Sequence, residues 1–110
     1  MRKLFLLTHT PGEGWIPGKP RAEQTGWREH AHFMNDLAER GFVVLGGPIS
    51  DTEALLAIDA QDEAEIHSVF TNDPWHQSKV LKVKLLQLLT VKVKPRPKSQ
   101  KLNISLLKVI

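Results

Sequence analysis

Large apolar residues run along this chain in short bursts, and the spacing inside each burst names the element beneath it. "RKLFLLTH", residues 2–9, is dense in large apolar side chains and ends at "TPGEGWIPGKP", so it predicts a first strand. Three glycines and three prolines between Pro11 and Pro20 exclude a helix or an inner strand there. A loop of that length within a small domain is often functional, and this one carries the bulky Trp15. Residues 26–40 change to a helical period: with Trp27 at zero, Ala31, Met34 and Ala38 fall within about 40° of it, and Leu37 about 80° to one side. Thr25 is placed to cap this helix and Gly41 to end it.

The second half repeats the alternation. "FVVLGGPIS", residues 42–50, is β-branched and apolar up to a Gly-Gly-Pro break, and "TEALLAIDA" predicts a third strand, joined to it by a hairpin through Ser50 to Glu53. "DEAEIHSVFTND", residues 62–73, is a second amphipathic helix with acids in its first turn and Ile66, Val69 and Phe70 on its apolar face. We expect it to stop at Pro74. Val80 to Val93 alternates enough to be the last strand. The order β-α-β-β-α-β is the ferredoxin-like arrangement, an α+β fold with a four-stranded antiparallel sheet and both helices on one face. The opposite sheet face would stay apolar and exposed in a monomer, so we expect a homodimer.

Composition adds limits. A chain of 110 residues fits one domain, which we place at 1–93, followed by a basic extension, 94–110. That extension is read either as an extra strand or as a disordered tail, and it is the part suited to docking acidic partners. The chain has no cysteine, which excludes disulfides and thiolate metal sites and fits a cytoplasmic setting. The apolar run Leu4 to Leu7 is too short for a signal peptide or a membrane span, so no membrane role is expected. The sequence pI near 9.4 invites a nucleic-acid reading. However, five of the fifteen basic residues lie in 93–110, leaving ten against twelve acidic residues in 1–92. The folded body is slightly acidic and the tail has no aromatic residue for base stacking, so nucleic acid is not an expected partner.

Two of the five histidines, His30 and His32, stand two positions apart in "GWREHAHFM". On a strand they would share a face and clamp a metal; on a helix they sit about 160° apart and cannot meet. The helical period therefore removes the metal site. His30 falls about 60° from Trp27, at the border of the apolar face, while His32 faces solvent at about 140°. Periodicity alone favours a structural border histidine. On the second helix, however, Asp73 falls about 20° from Ile66, on the inner face, where a carboxylate needs a partner. Both helices cover one sheet face, so His30 and Asp73 can meet, and a carboxylate beside an imidazole orients it as a base. The plainer role for Asp73 is to satisfy backbone groups around the "NDPW" turn.

Other positions carry weaker signals. Gly46, Gly47 and Pro48 would let a ligand approach the backbone, although a bulge or tight turn explains them equally well. Trp75 fits a core position or a pocket wall. Arg21 and Arg28 suit an anionic substrate or a solvated surface. His9, His67 and His76 have no partner recognisable in sequence.

Taken together, "TPGEGWIPGKP", "WREHAHFMNDLAERGFVVLGGPISD" and "DPW" resemble the YciI-like (YCII-related) family of the dimeric α+β barrel superfamily, over residues 3 to about 84. In that family a helix histidine precedes a strand ending in Gly-Pro, and an Asp-Pro-aromatic follows the second helix; His30, Gly47-Pro48 and Asp73-Pro74-Trp75 occupy those places. The resemblance implies a homodimer without cofactor or metal and a His30–Asp73 catalytic pair. It also implies a small-molecule substrate, aromatic or carbonyl-containing, undergoing elimination or isomerisation. Trp15, Arg28, Gly46, Gly47, Pro48 and Trp75 would then shape the substrate pocket. The alternative is a non-catalytic ligand-binding or interaction module of the same fold, which a closed, fully packed site around His30 would favour. The chain departs from the family in its "LLQLLTVKV" stretch and in continuing through "KPRPKSQKLNISLLKVI".

Overall fold

The computed structural model describes residues 2–90. Four strands, β1 (Lys3–Pro11), β2 (Val43–Pro48), β3 (Ala54–Ala60) and β4 (Leu81–Leu88), alternate with α1 (Trp27–Glu39), α2 (Glu63–Phe70) and a single turn, α3 (Pro74–Gln77). The sheet order is β2-β3-β1-β4 and every neighbouring pair is antiparallel, which is the ferredoxin-like βαββαβ arrangement.

Alternation along the strands sorts the side chains by face. Phe5 and Leu7 of β1, with Leu56 and Ile58 of β3, point to the helix side, where they pack with Met34 and Leu37 of α1 and Ile66 and Phe70 of α2 into one buried core. Leu4, Leu45 and Leu85 stand on the open face, each exposed. An extra residue on β4, Lys84, makes a bulge where the register against β1 shifts between Thr8 and His9. Beyond the bulge, His9 lies on the helix side of β1 at its far end.

Where the elements end, local chemistry explains why. Gly41 terminates α1 in the left-handed region (φ 79), with Gly41 N–H donating to Ala38 O and Phe42 N–H to Leu37 O, a Schellman closure. At the other end the expected Thr25 cap is replaced by Gly26, also left-handed (φ 80). The reason is Trp75: its indole N–H donates to Thr25 O at 2.7 Å, and a Cβ on Gly26 would stand 3.4 Å from the indole nitrogen.

Helix α2 ends at Phe70 rather than continuing to Asp73. Pro74 then opens α3 in the favoured first position, with Asp73 as its cap. Strand β2 runs through the glycines, Gly46 and Gly47 pairing with Leu56 and Leu55, so the expected break falls after Pro48. Strand β4 stops at Leu88; the rest of the expected span beyond Thr90, and the extension 94–110, lie outside the described residues.

The segment between β1 and α1 is held at both ends. Gly12 N–H donates to Val80 O and Gly14 N–H to Lys79 O, so close that a Cβ on Gly12 would run into the Lys79 carbonyl. Gln24, buried, accepts from Ile16 N–H and donates to the carbonyls of Ile16 and Lys19, tying the segment to itself. No helix among the described residues is long and apolar enough to cross a membrane.

Candidate functional site

His30 sits on the first turn of α1 and points inward beneath the α2–α3 junction. Its Nδ1 donates to Asp73, 2.9 Å from Oδ1 and 3.1 Å from Oδ2, and both side chains are fully buried. Asp73 does not lie on the second helix, where the periodicity predicts it; it caps α3, its Oδ1 also accepting from Trp75 N–H at 3.0 Å. Thus the turn-satisfying role and the histidine-facing role belong to the same carboxylate. Because the backbone of α3 fixes the carboxylate, it holds the imidazole in one orientation. Nδ1 is thus the ring nitrogen that the carboxylate holds.

Two tryptophans pack against His30, and a third packs against one of these. Trp75 lies on His30 with ring centroids 4.0 Å apart and planes 10° from parallel. Trp27, at the start of α1, is tilted against both rings, at 6.2 Å from His30 and 5.6 Å from Trp75. Trp15, from the long segment, meets the edge of Trp75 at 6.4 Å. Trp75 is fully buried whereas Trp15 and Trp27 are half-buried, so these two form the outer layer over the site. The arrangement is a fully buried imidazole, oriented by a carboxylate and stacked on an indole, out of contact with bulk water.

The remaining expected site residues are spread more widely. Trp15 and Pro48 share a cavity of about 920 Å³ with Arg21, Ser50 and Asp51. Gly46, Gly47 and Pro48 also line a second, apolar hollow on the open sheet face with Leu6, Leu45 and Leu55. Arg28 is exposed on α1. Neither cavity is lined by His30 or Asp73. Burial lowers the Arg21 pKa, an effect that nearby Asp51 opposes.

Sequence reasoning missed a second pair. His9 Nε2 and His76 Nε2 are 2.8 Å apart, beside Phe70. Burial pushes the His9 pKa well below its ordinary value, with further lowering from His76 and His30. His76 is lowered too, chiefly by burial. The bulge after Thr8 and the α3 turn bring these rings together, and neither feature has a spacing that a single sequence reveals. No group of three or more His, Asp or Glu residues among the described residues is arranged to hold a metal.

No protein-family model matches this sequence. No curated protein matches it either. Among solved structures the chain is similar to the 5-chloro-2-hydroxyhydroquinone dehydrochlorinase of Burkholderia phenoliruptrix, in complex with 2,5-dihydroxybenzoquinone. The TM-score is 0.56 at 20% identity, over 81% of this chain and 93% of that one. The two share a fold. At that identity the likeness extends no further.

Proposed function

We propose that the chain is a small enzyme of the YciI-like family, acting without a cofactor, in which His30 moves a proton and Asp73 orients it. The observation that carries this reading is the contact of His30 Nδ1 with both Asp73 oxygens, with Trp75 and Trp27 packed against the imidazole. Nε2 would take a proton next to a carbonyl or from a phenol of a small flat substrate; in an isomerisation the imidazolium returns it to another atom of the same molecule, and in a dehydrochlorination chloride leaves with the bonding electron pair and the proton passes on to solvent. Asp73 stabilises the imidazolium formed in between. The fold neighbour acts on a chlorinated hydroquinone, which makes that compound the first substrate to try.

In this reading a substrate reaches His30 by displacing the outer tryptophans. Trp15 is carried on the segment that Gln24 ties to itself, one residue past the Gly14 anchor, so reaching His30 requires its side chain to swing aside. The dimer belongs to the same proposal: Leu4, Leu45 and Leu85 make the open sheet face apolar, and a second copy of the chain would cover it. We place the protein in the cytoplasm. The test is chloride release from 5-chloro-2-hydroxyhydroquinone, together with proton–deuterium exchange next to the carbonyl in a panel of small ketones and keto acids. His30→Ala should lower any activity found by about 10²-fold or more. Activity that survives His30→Ala ends the proposal.

A second reading rests on the burial itself. His30, Asp73 and Trp75 have no exposed surface, which is how a structural cluster looks in a non-catalytic ligand-binding module of this fold. No turnover across the panel, with retained binding of 2,5-dihydroxybenzoquinone in His30→Ala, would favour this reading.

A further inference from the structure

Between α2, α3 and β4 lies a cavity of about 350 Å³, separate from the tryptophan enclosure. Its floor is apolar, made by Leu7, Ile66, Phe70 and Val83, and its polar wall includes His76 and Gln77. His76 also lines a neighbouring hollow of about 380 Å³ beside Gly12 and Leu81. The chemistry at His76 is set by the ring behind it.

His9 is buried, and its Nδ1 has no hydrogen-bond partner. The 2.8 Å contact between the two Nε2 atoms requires one ring to donate and the other to accept. If His9 accepted, its proton would sit on the orphaned Nδ1, a buried donor with nothing to bond. If it donates, Nδ1 is a bare acceptor, the more readily tolerated of the two orphans. His9 therefore donates from Nε2, and His76 accepts at Nε2 and carries its own proton on Nδ1. Burial keeps both rings neutral near neutral pH. The result is a neutral N–H donor, locked in one tautomer, on a half-buried ring that lines the cavity.

We propose that this cavity is a binding site for a small, flat, uncharged carbonyl compound, whose carbon body lies against Val83 over the buried apolar floor and whose oxygen accepts from His76 Nδ1. A neutral donor does not compensate a carboxylate for losing its water, so a neutral carbonyl fits better than an acid. An apolar molecule without the oxygen would leave the donor unpaired. The cavity shares no lining residue with the His30–Asp73 pair.

The probe is acetophenone, titrated into the full chain while the His76 ring resonances are followed by NMR, with ethylbenzene and benzoate as comparisons. Acetophenone should shift the His76 Nδ1–H saturably, with an affinity on the order of 1 mM for a ligand of that size. Ethylbenzene and benzoate should each bind at least tenfold more weakly. Val83→Trp, which fills the floor, should abolish the shift. Thr71→Trp, which blocks the rim from an exposed position, should do the same if the first variant does not fold. His9→Phe, which frees the His76 tautomer, should weaken binding several-fold. An unmoved His76, equal binding of ethylbenzene or benzoate, or a shift unchanged in the filled variant would each overturn the proposal.

Discussion

The indole of Trp75 stacks flat on the imidazole of His30, 4.0 Å between centroids, while the backbone N–H of the same tryptophan donates to the carboxylate that holds that imidazole. One short turn, α3, thus supplies both the face and the edge contact of the histidine. Asp73 and Trp75 are two residues apart, so the turn's geometry, rather than long-range packing, sets their relative position.

Removing the carboxylate should therefore cost both a cap and a buried partner. Asp73→Ala is expected to destabilise the protein by about 2–4 kcal/mol, from the lost helix cap and the unpaired His30 nitrogen. Asp73→Asn keeps an oxygen for the Trp75 N–H and should cost less. Urea unfolding of the two variants checks the order.

Trp75→Phe keeps an aromatic face on His30 but loses the bond to Thr25 O, and with it the anchor of the α1 start. The expected loss is about 1–2 kcal/mol, against about 3–5 kcal/mol for Trp75→Ala. Equal losses in thermal unfolding would show that stacking and anchoring do not contribute separately.

Gly26→Ala places a side chain at φ 80, within 3.4 Å of the Trp75 indole nitrogen. The left-handed backbone alone should cost about 1–2 kcal/mol. Gly41→Ala, left-handed with nothing near its Cβ, gives the backbone cost without the contact. Gly26→Ala is expected to be the more damaging of the two.

Acid should weaken the fold through His9 and His76. Both have folded-state pKa values below 6.5, so the unfolded chain takes up protons first. Stability is then full above about pH 6.5 and falls as pH drops below it, toward the lowered folded values. His9 faces His76 and His30, all of one charge type when protonated, so nothing offsets the loss at His9; at His76, Asp73 opposes part of it. Denaturant midpoints between pH 7.5 and 5 should show the decline, and His9→Phe should flatten it.

The dimer is tested on the open face. Leu45, 51% exposed, and Leu85, 43% exposed, would be buried between copies. Leu45→Glu with Leu85→Lys should leave the fold intact and shift a sedimentation profile from dimer to monomer. A wild-type protein that sediments as a monomer excludes this use of the face.

The fold was largely legible in the sequence because its signals are periodic. The alternating apolar residues of β1 and β3, the Met34 and Leu37 stripe of α1 and the Gly41 stop each follow from local geometry. His30 on the inner border and Asp73 as its partner were legible for related reasons, although the route to Asp73 was not. A helix extended to residue 73 put it on the right face, whereas the chain leaves α2 at Phe70 and presents Asp73 from a new turn. The Gly26 cap was hidden because its cause, the Trp75 indole, is 50 residues away from Thr25. His9 and His76 were hidden because a one-residue bulge and a turn of four residues bring them together, and neither leaves a period to read. The Gly46–Gly47 pair looked like a strand end because glycine usually weakens a strand; here pairing with β3 carries the strand through it.

The most direct test of the account is the tautomer of His30, read from its ring nitrogens by NMR in the wild type and in Asp73→Asn. We predict a ring that carries a proton on Nδ1, strongly downfield and held by Asp73, and loss of that downfield signal in the variant. A ring protonated on Nε2, or a signal unchanged by Asp73→Asn, would contradict the claim that Asp73 orients His30 as a base.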